Sequence, residues 1–96
     1  MINVKSLKFD AAKDLLDYVE KKVGKVEKFF DNMGDIDVTL SLLPEAENKC
    51  VKLQTHMPGE EIVIERNART FEEAVTDAAD ALKEKIVRVK EKKFSK

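Results

Sequence analysis

Lys83, Lys85, Arg88, Lys90, Lys92 and Lys93 crowd one stretch near the C-terminus, and Lys22, Lys25 and Lys28 recur at helical spacing nearer the start. Cations at such intervals can neutralise phosphates and release their counterions, which makes binding salt-dependent. Arg88 can fork to one phosphate through two parallel hydrogen bonds, whereas a lysine acts as a point charge. On a helix, Lys85, Arg88 and Lys92 share a stripe, and Lys83 and Lys90 flank the core line from the other side. Such a surface reads the shape and phosphate spacing of RNA rather than base sequence. The same pattern also suits an ordinary solvated helix end whose cations complement the helix dipole. Spacing alone leaves both readings open.

Net charge understates this feature. The 96 residues carry a formal charge of −1, unlike the strongly basic balance of many nucleic-acid modules. Residues 81–96 hold seven basic and two acidic side chains, and the first 80 hold 11 basic and 17 acidic. Screening acts over about 8 Å at physiological salt, so a phosphate near the C-terminal stretch senses mainly that stretch.

Other chemistries are weakly supported. Cys50 and His56 fall on one face of a predicted strand, but two metal ligands without further partners make a poor site. Asp35 and Asp37 could serve as acid or base, yet they better suit the solvated face of a strand. Phe29 and Phe30 could stack on bases, but Phe30 falls on the core stripe of its helix. No glycine-rich phosphate loop and no nucleophile–base pairing is visible. The expectation is a protein that is not an enzyme, with no cofactor, no metal and no small-molecule substrate. The single cysteine permits no intrachain disulfide and fits a reducing compartment. No apolar run approaches the ~20 residues of a membrane span, and the N-terminus lacks the layout of a secretory signal.

The elements that must position these residues follow from periodicity. Residues 2–9 read as a strand with Ile2, Val4 and Ser6 on one face. Asp10 can cap a helix whose stripe is Leu16, Val19, Val23, Val26 and Phe30, widened by Leu15 and Phe29. That helix should end near Asn32-Met33-Gly34, with Gly34 as a left-handed cap. Ile36, Val38, Leu40 and Leu42 then alternate with polar residues, as do Val51, Leu53, Thr55 and Met57 after a polar connection from Pro44 to Asn48. Pro58-Gly59 suits a tight turn into a last strand over Glu61 to Arg66. Thr70-Phe71-Glu72-Glu73 is a capping box. The helix it opens runs through Lys93, with Phe71, Val75, Ala78, Leu82, Ile86 and Val89 as its stripe; Ala74, Ala79 and Ala81 permit close approach. The order βαβββα, with one apolar face per element, predicts a single α+β domain over residues 1–96. It has two layers, a four-stranded sheet with both helices on one side. A right-handed crossover would set the first two strands parallel.

Several strings in this order resemble the ribosome hibernation-promoting factors, the protein Y family. The first helix, from Tyr18 to Asp31, is similar to the family's lysine-bearing helix ending in two aromatics and an acid. The strand Ile36-Asp37-Val38-Thr39-Leu40 follows as in the family. Thr70-Phe71-Glu72-Glu73-Ala74-Val75 is similar to its aromatic-x-x-Ala-aliphatic signature, and Leu82 to Lys92 to its leucine-anchored basic tail. The resemblance spans nearly the whole chain. Phe71 stands where many members have tyrosine, and Thr76 where many have aspartate.

This resemblance implies a fold similar in layout to double-stranded-RNA-binding domains. It implies a cytoplasmic translation inhibitor that binds the small ribosomal subunit and its rRNA in the mRNA/tRNA path during stress or stationary phase. The family's basic positions map to Lys22, Lys25, Arg88, Lys90 and Lys92, with Lys28, Lys83, Lys85 and Lys93 as helpers. The chain matches the short form, without the C-terminal dimerisation domain, and is expected to be monomeric away from the ribosome. Two other readings stand beside this one: a general double-stranded-RNA module, and a protein-interaction domain using the open sheet face.

Overall fold

The computed structural model describes residues 2–7, 12–29, 34–42, 48–57 and 59–94, with the side chains of residues 29, 90 and 92–94 outside that description. The elements run β1 (Ile2–Ser6), α1 (Lys13–Phe29), β2 (Ile36–Leu42), β3 (Lys49–Met57), β4 (Glu60–Ala68) and α2 (Phe71–Phe94). The expected helix cap at Asp10, the core position at Phe30, the helix end at Asn32-Met33 and the prolines Pro44 and Pro58 lie outside the described residues.

The strands form one sheet in the order β1-β2-β3-β4. β1 lies parallel to β2, as a crossover through α1 predicts, and the other two pairings are antiparallel. The register aligns the apolar positions across all four strands. Val4 faces Val38, Val38 faces Leu53, and Leu53 faces Ile64. Because side chains alternate along a strand, this alignment builds one apolar face. Ile36, Val38, Leu40, Val51, Leu53 and Ile62 are buried on it. Val19, Val23 and Val26 of α1 join the same core, together with Phe71, Val75, Ala78, Leu82, Ile86 and Val89 of α2. Both helices therefore cover one side, and among the described residues no helix covers the other, open side.

Local chemistry sets the joints. The Thr70 hydroxyl accepts the Glu73 N–H at 3.1 Å, the cap the sequence predicts. Thr70→Ala should lower the unfolding free energy by about 1 kcal/mol, read by urea denaturation. Gly59 turns β3 into β4 at a φ of 79°, a conformation glycine adopts without a Cβ penalty. Thr55 is the one polar side chain buried among the described residues. Its hydroxyl donates to the Asp35 carbonyl at 3.0 Å, tying β3 to the entry of β2. Thr55→Val preserves shape and removes that bond, so it should cost about 1 kcal/mol in the same assay.

Four expectations need correction. Gly34 does not take the left-handed cap conformation; Gly59 is the described glycine that has a positive φ. The Gly34 N–H instead donates to the His56 carbonyl at 3.0 Å, which aligns it with the end of β3. Leu42 is 40% exposed rather than buried. It lies beyond the last β1–β2 pair, Ser6 with Leu40, so β1 gives it no paired neighbour among the described residues. Leu16, placed on the α1 stripe, is only half-buried, and it is Leu15 with Tyr18 that packs against the core. The last two strands are longer than predicted. Pairing of Lys49 with Ala68 and of Met57 with Glu60 continues the ladder past the apolar alternation.

Candidate nucleic-acid interface

The two helices run parallel. Tyr18 of α1 shares a 2.8 Å hydrogen bond with Thr76 of α2, and further along Lys22, Lys25 and Val26 line a groove with Thr76, Ala79, Asp80 and Lys83. Small side chains at Ala74, Ala78 and Ala79, all buried, let α2 sit close against its neighbours. Parallel packing has an electrostatic consequence. Both helices bring their C-terminal, carbonyl-rich ends to the same side of the molecule, where cations are favoured.

Lys22, Lys25 and Lys83 converge on the groove between the helices, over a floor of Val26 and Ala79. The Lys22 ammonium also lies 5.6 Å from the centre of the Tyr18 ring, a cation–π distance that restrains it. Lys83 belongs to a second hollow as well, an open depression on the outer face of α2 with Asp80, Glu84, Val87, Arg88 and Glu91. Val87 is 38% exposed there. Lys28 sits in the last turn of α1 and is exposed. Lys85 is exposed on α2 but lines neither hollow. The backbone of α2 runs on through residues 90, 92 and 93; the side chains of Lys90, Lys92 and Lys93 lie outside the described residues.

The described outer face of α2 is of mixed charge. Asp80, Glu84 and Glu91 alternate with Lys83 and Arg88 there. Nearer the helix N-termini a third hollow is acidic, lined by Tyr18, Glu72, Glu73, Thr76, Asp77 and Asp80. Asp80 and Thr76 are the groove residues that sequence reasoning missed. The signal for Asp80 was its place three residues before Lys83, one turn along the same face.

The sheet's open face is built differently. Asp37 accepts a hydrogen bond from the Asn3 amide at 3.1 Å, and the Gln54 amide donates to Glu61. Lys52 stands opposite Glu65, and His56 opposite Glu61. Asp37 and Asp35 are thus exposed strand-end and outer-face groups. Cys50 and His56 do share this face, but at opposite ends of β3, about 20 Å apart by strand rise. That distance rules out a shared ion. Cys50 is buried, flanked from its place on β3 by Ser41 and Asn67. Among the described residues no His, Cys, Asp or Glu cluster could hold a metal, and no helix is long and apolar enough to cross a membrane.

Residues 2–93 match the family described as sigma 54 modulation protein / S30EA ribosomal protein. The chain belongs to that family. It is 25% identical to the ribosome hibernation promoting factor of Azotobacter vinelandii, over 99% of this chain and 87% of that one. Its fold is similar to that of a ribosomal subunit interface protein from Coxiella burnetii. The TM-score is 0.83 at 18% identity, over 93% of this chain and 96% of that one. It is likewise similar to the N-terminal domain of protein Y from Thermus thermophilus, with a TM-score of 0.77 at 23% identity, over 91% and 94% of the two chains. The family is one of ribosome hibernation and ribosome binding, and the βαβββα order of this chain is the fold of its structural relatives.

Proposed function

We propose that this chain inhibits translation by binding the small ribosomal subunit through its rRNA, and that the groove between α1 and α2 is the contact surface. The observation that carries this reading is the convergence of Lys22, Lys25 and Lys83 from two helices that a hydrogen bond locks together. Cations far apart in sequence line one groove, within a family of ribosome-binding proteins. Arg88 extends the site along α2, Lys28 and Lys85 are further exposed cations of the two helices, and Lys90, Lys92 and Lys93 join the proposed contacts on their place in the α2 sequence alone. The open sheet face suits RNA less well, because Asp37, Glu61 and Glu65 stand on it.

Inhibition follows from occupancy. A bound domain in the mRNA/tRNA path excludes both ligands without any bond-making step, so no catalytic residue is required. The protein acts in the cytoplasm, where ribosomes are, under stress or in stationary phase, and is a monomer away from the ribosome.

The chain should co-sediment with isolated small subunits at low and moderate salt and slow a cell-free translation reaction in proportion to occupancy. Absence from the small-subunit fraction at every salt concentration would sink the proposal. Equal affinity for a naked RNA duplex and for small subunits would instead make it a general double-stranded-RNA module. Binding that survives nuclease treatment of the partner would point to a protein contact.

A further inference from the structure

Along the groove between the two helices the charged lining changes sign at one residue. Asp80 borders all three hollows: the groove with Lys22, Lys25 and Lys83, the outer depression with Lys83 and Arg88, and the acidic hollow with Glu72, Glu73 and Asp77. It is exposed, so its carboxylate meets an incoming polyanion directly. It lies three residues, about 4.5 Å of helix rise, from Lys83. That is inside the screening length of about 8 Å, so a phosphate held by Lys83 also senses Asp80. On the C-terminal side the groove walls carry Lys22, Lys25 and Lys83, which attract phosphate, while Glu84 and Glu91 keep the outer face of α2 mixed. Past Asp80 the acidic lining of Glu72, Glu73 and Asp77 repels phosphate.

We infer that Asp80 is a specificity-determining stop: it limits how far an RNA phosphodiester backbone can run along the α1–α2 groove, and confines RNA to the C-terminal half of the helix pair. This rests on the RNA-binding reading above and deepens it. A repulsive group inside an attractive site lowers affinity for every ligand, but least for one whose backbone turns away at that point. A folded RNA surface can present phosphates that leave the groove before Asp80. A regular duplex laid along the helices presents them on both sides of it. Asp80 therefore costs a regular duplex more than a shaped surface, and discrimination arises without any contact to a base.

The test compares the full chain as wild type, Asp80→Asn and Asp80→Glu, titrated against isolated small subunits and against a naked RNA duplex over a range of KCl concentrations. Asp80→Asn should tighten duplex binding about two- to fivefold, the range expected for one exposed charge. It should steepen the salt dependence by about one counterion. Small-subunit affinity should change less, so the preference for the subunit falls. Asp80→Glu should match the wild type. An exposed position makes loss of the fold unexpected, and a thermal melt of each variant checks this. If Asp80→Asn binds duplex no tighter, or more weakly, Asp80 serves only to hold its neighbouring lysines and the inference is overturned while the proposed function stands. If the wild type binds neither RNA, both are overturned.

Discussion

Reversing the charge at Lys22, Lys25 and Lys83 together should weaken small-subunit binding by at least about a hundredfold and leave the fold intact. The size follows from contact energies. A charge-assisted hydrogen bond to phosphate contributes more than the ~1 kcal/mol of a neutral one, and each 1.4 kcal/mol is a factor of ten in affinity. Three lost contacts at roughly 1 kcal/mol each already give about a hundredfold, before the repulsion of the new carboxylates. The salt dependence should also flatten by about one counterion per lysine removed. These groups lie at the rim of the groove, over a floor of Val26 and Ala79. Surface changes of this kind typically alter stability by under about 0.5 kcal/mol. Affinity within threefold of wild type in the triple variant would remove the groove from the binding surface. A double reversal at Lys5 and Lys52, exposed on the sheet and away from the groove, should be far milder.

Leu82→Ala should be among the most damaging single changes in the chain. Leu82 is fully buried on the inner face of α2, in the core that α1, α2 and the sheet share. Truncation there removes transfer energy and leaves a cavity, costing about 2–5 kcal/mol. A domain of this size has roughly 5–15 kcal/mol of total stability, so the melting temperature should fall by about 8 °C or more. Val87, five residues on but 38% exposed, is the control: Val87→Ala should shift stability by under about 0.5 kcal/mol. Equal losses in the two variants would mean that α2 is not seated as described. The functional consequence is indirect. Lys83 adjoins Leu82 on the same turn, and a loosened α2 would no longer hold Lys83 against Lys22 and Lys25.

Periodicity was a sound guide wherever one physical demand acted. The α2 stripe of Phe71, Val75, Ala78, Leu82, Ile86 and Val89 is buried at every position, because helical spacing and one apolar layer ask for the same residues. The inner positions of β2 and β3 are buried for the same reason, up to Leu40 and Met57. The misses fall at the ends of elements. Leu42 alternates correctly but outruns β1. Gly34 sits where a helix cap belongs, yet its N–H is claimed by the His56 carbonyl. Pairing partners decide such positions, and partners are not local in sequence.

The binding surface shows the same division more sharply. By itself the sequence determined that this is an α+β chain in the order βαβββα, that one side of each helix is apolar, and that cations gather on α1 and on the second half of α2. Those features arise from neighbours within one or two turns, so a local pattern contains them. Only the tertiary structure decided which cations act together. Lys22, Lys25 and Lys83 meet because α1 and α2 run parallel, close together over small alanines, with Tyr18 bonded to Thr76 across 58 positions of sequence. Lys85, equally basic in the sequence, lines neither hollow, and Asp80, unremarked there, borders all three. Charge acts through space within a screening length, and distance in space is set by packing, which no spacing along the chain encodes.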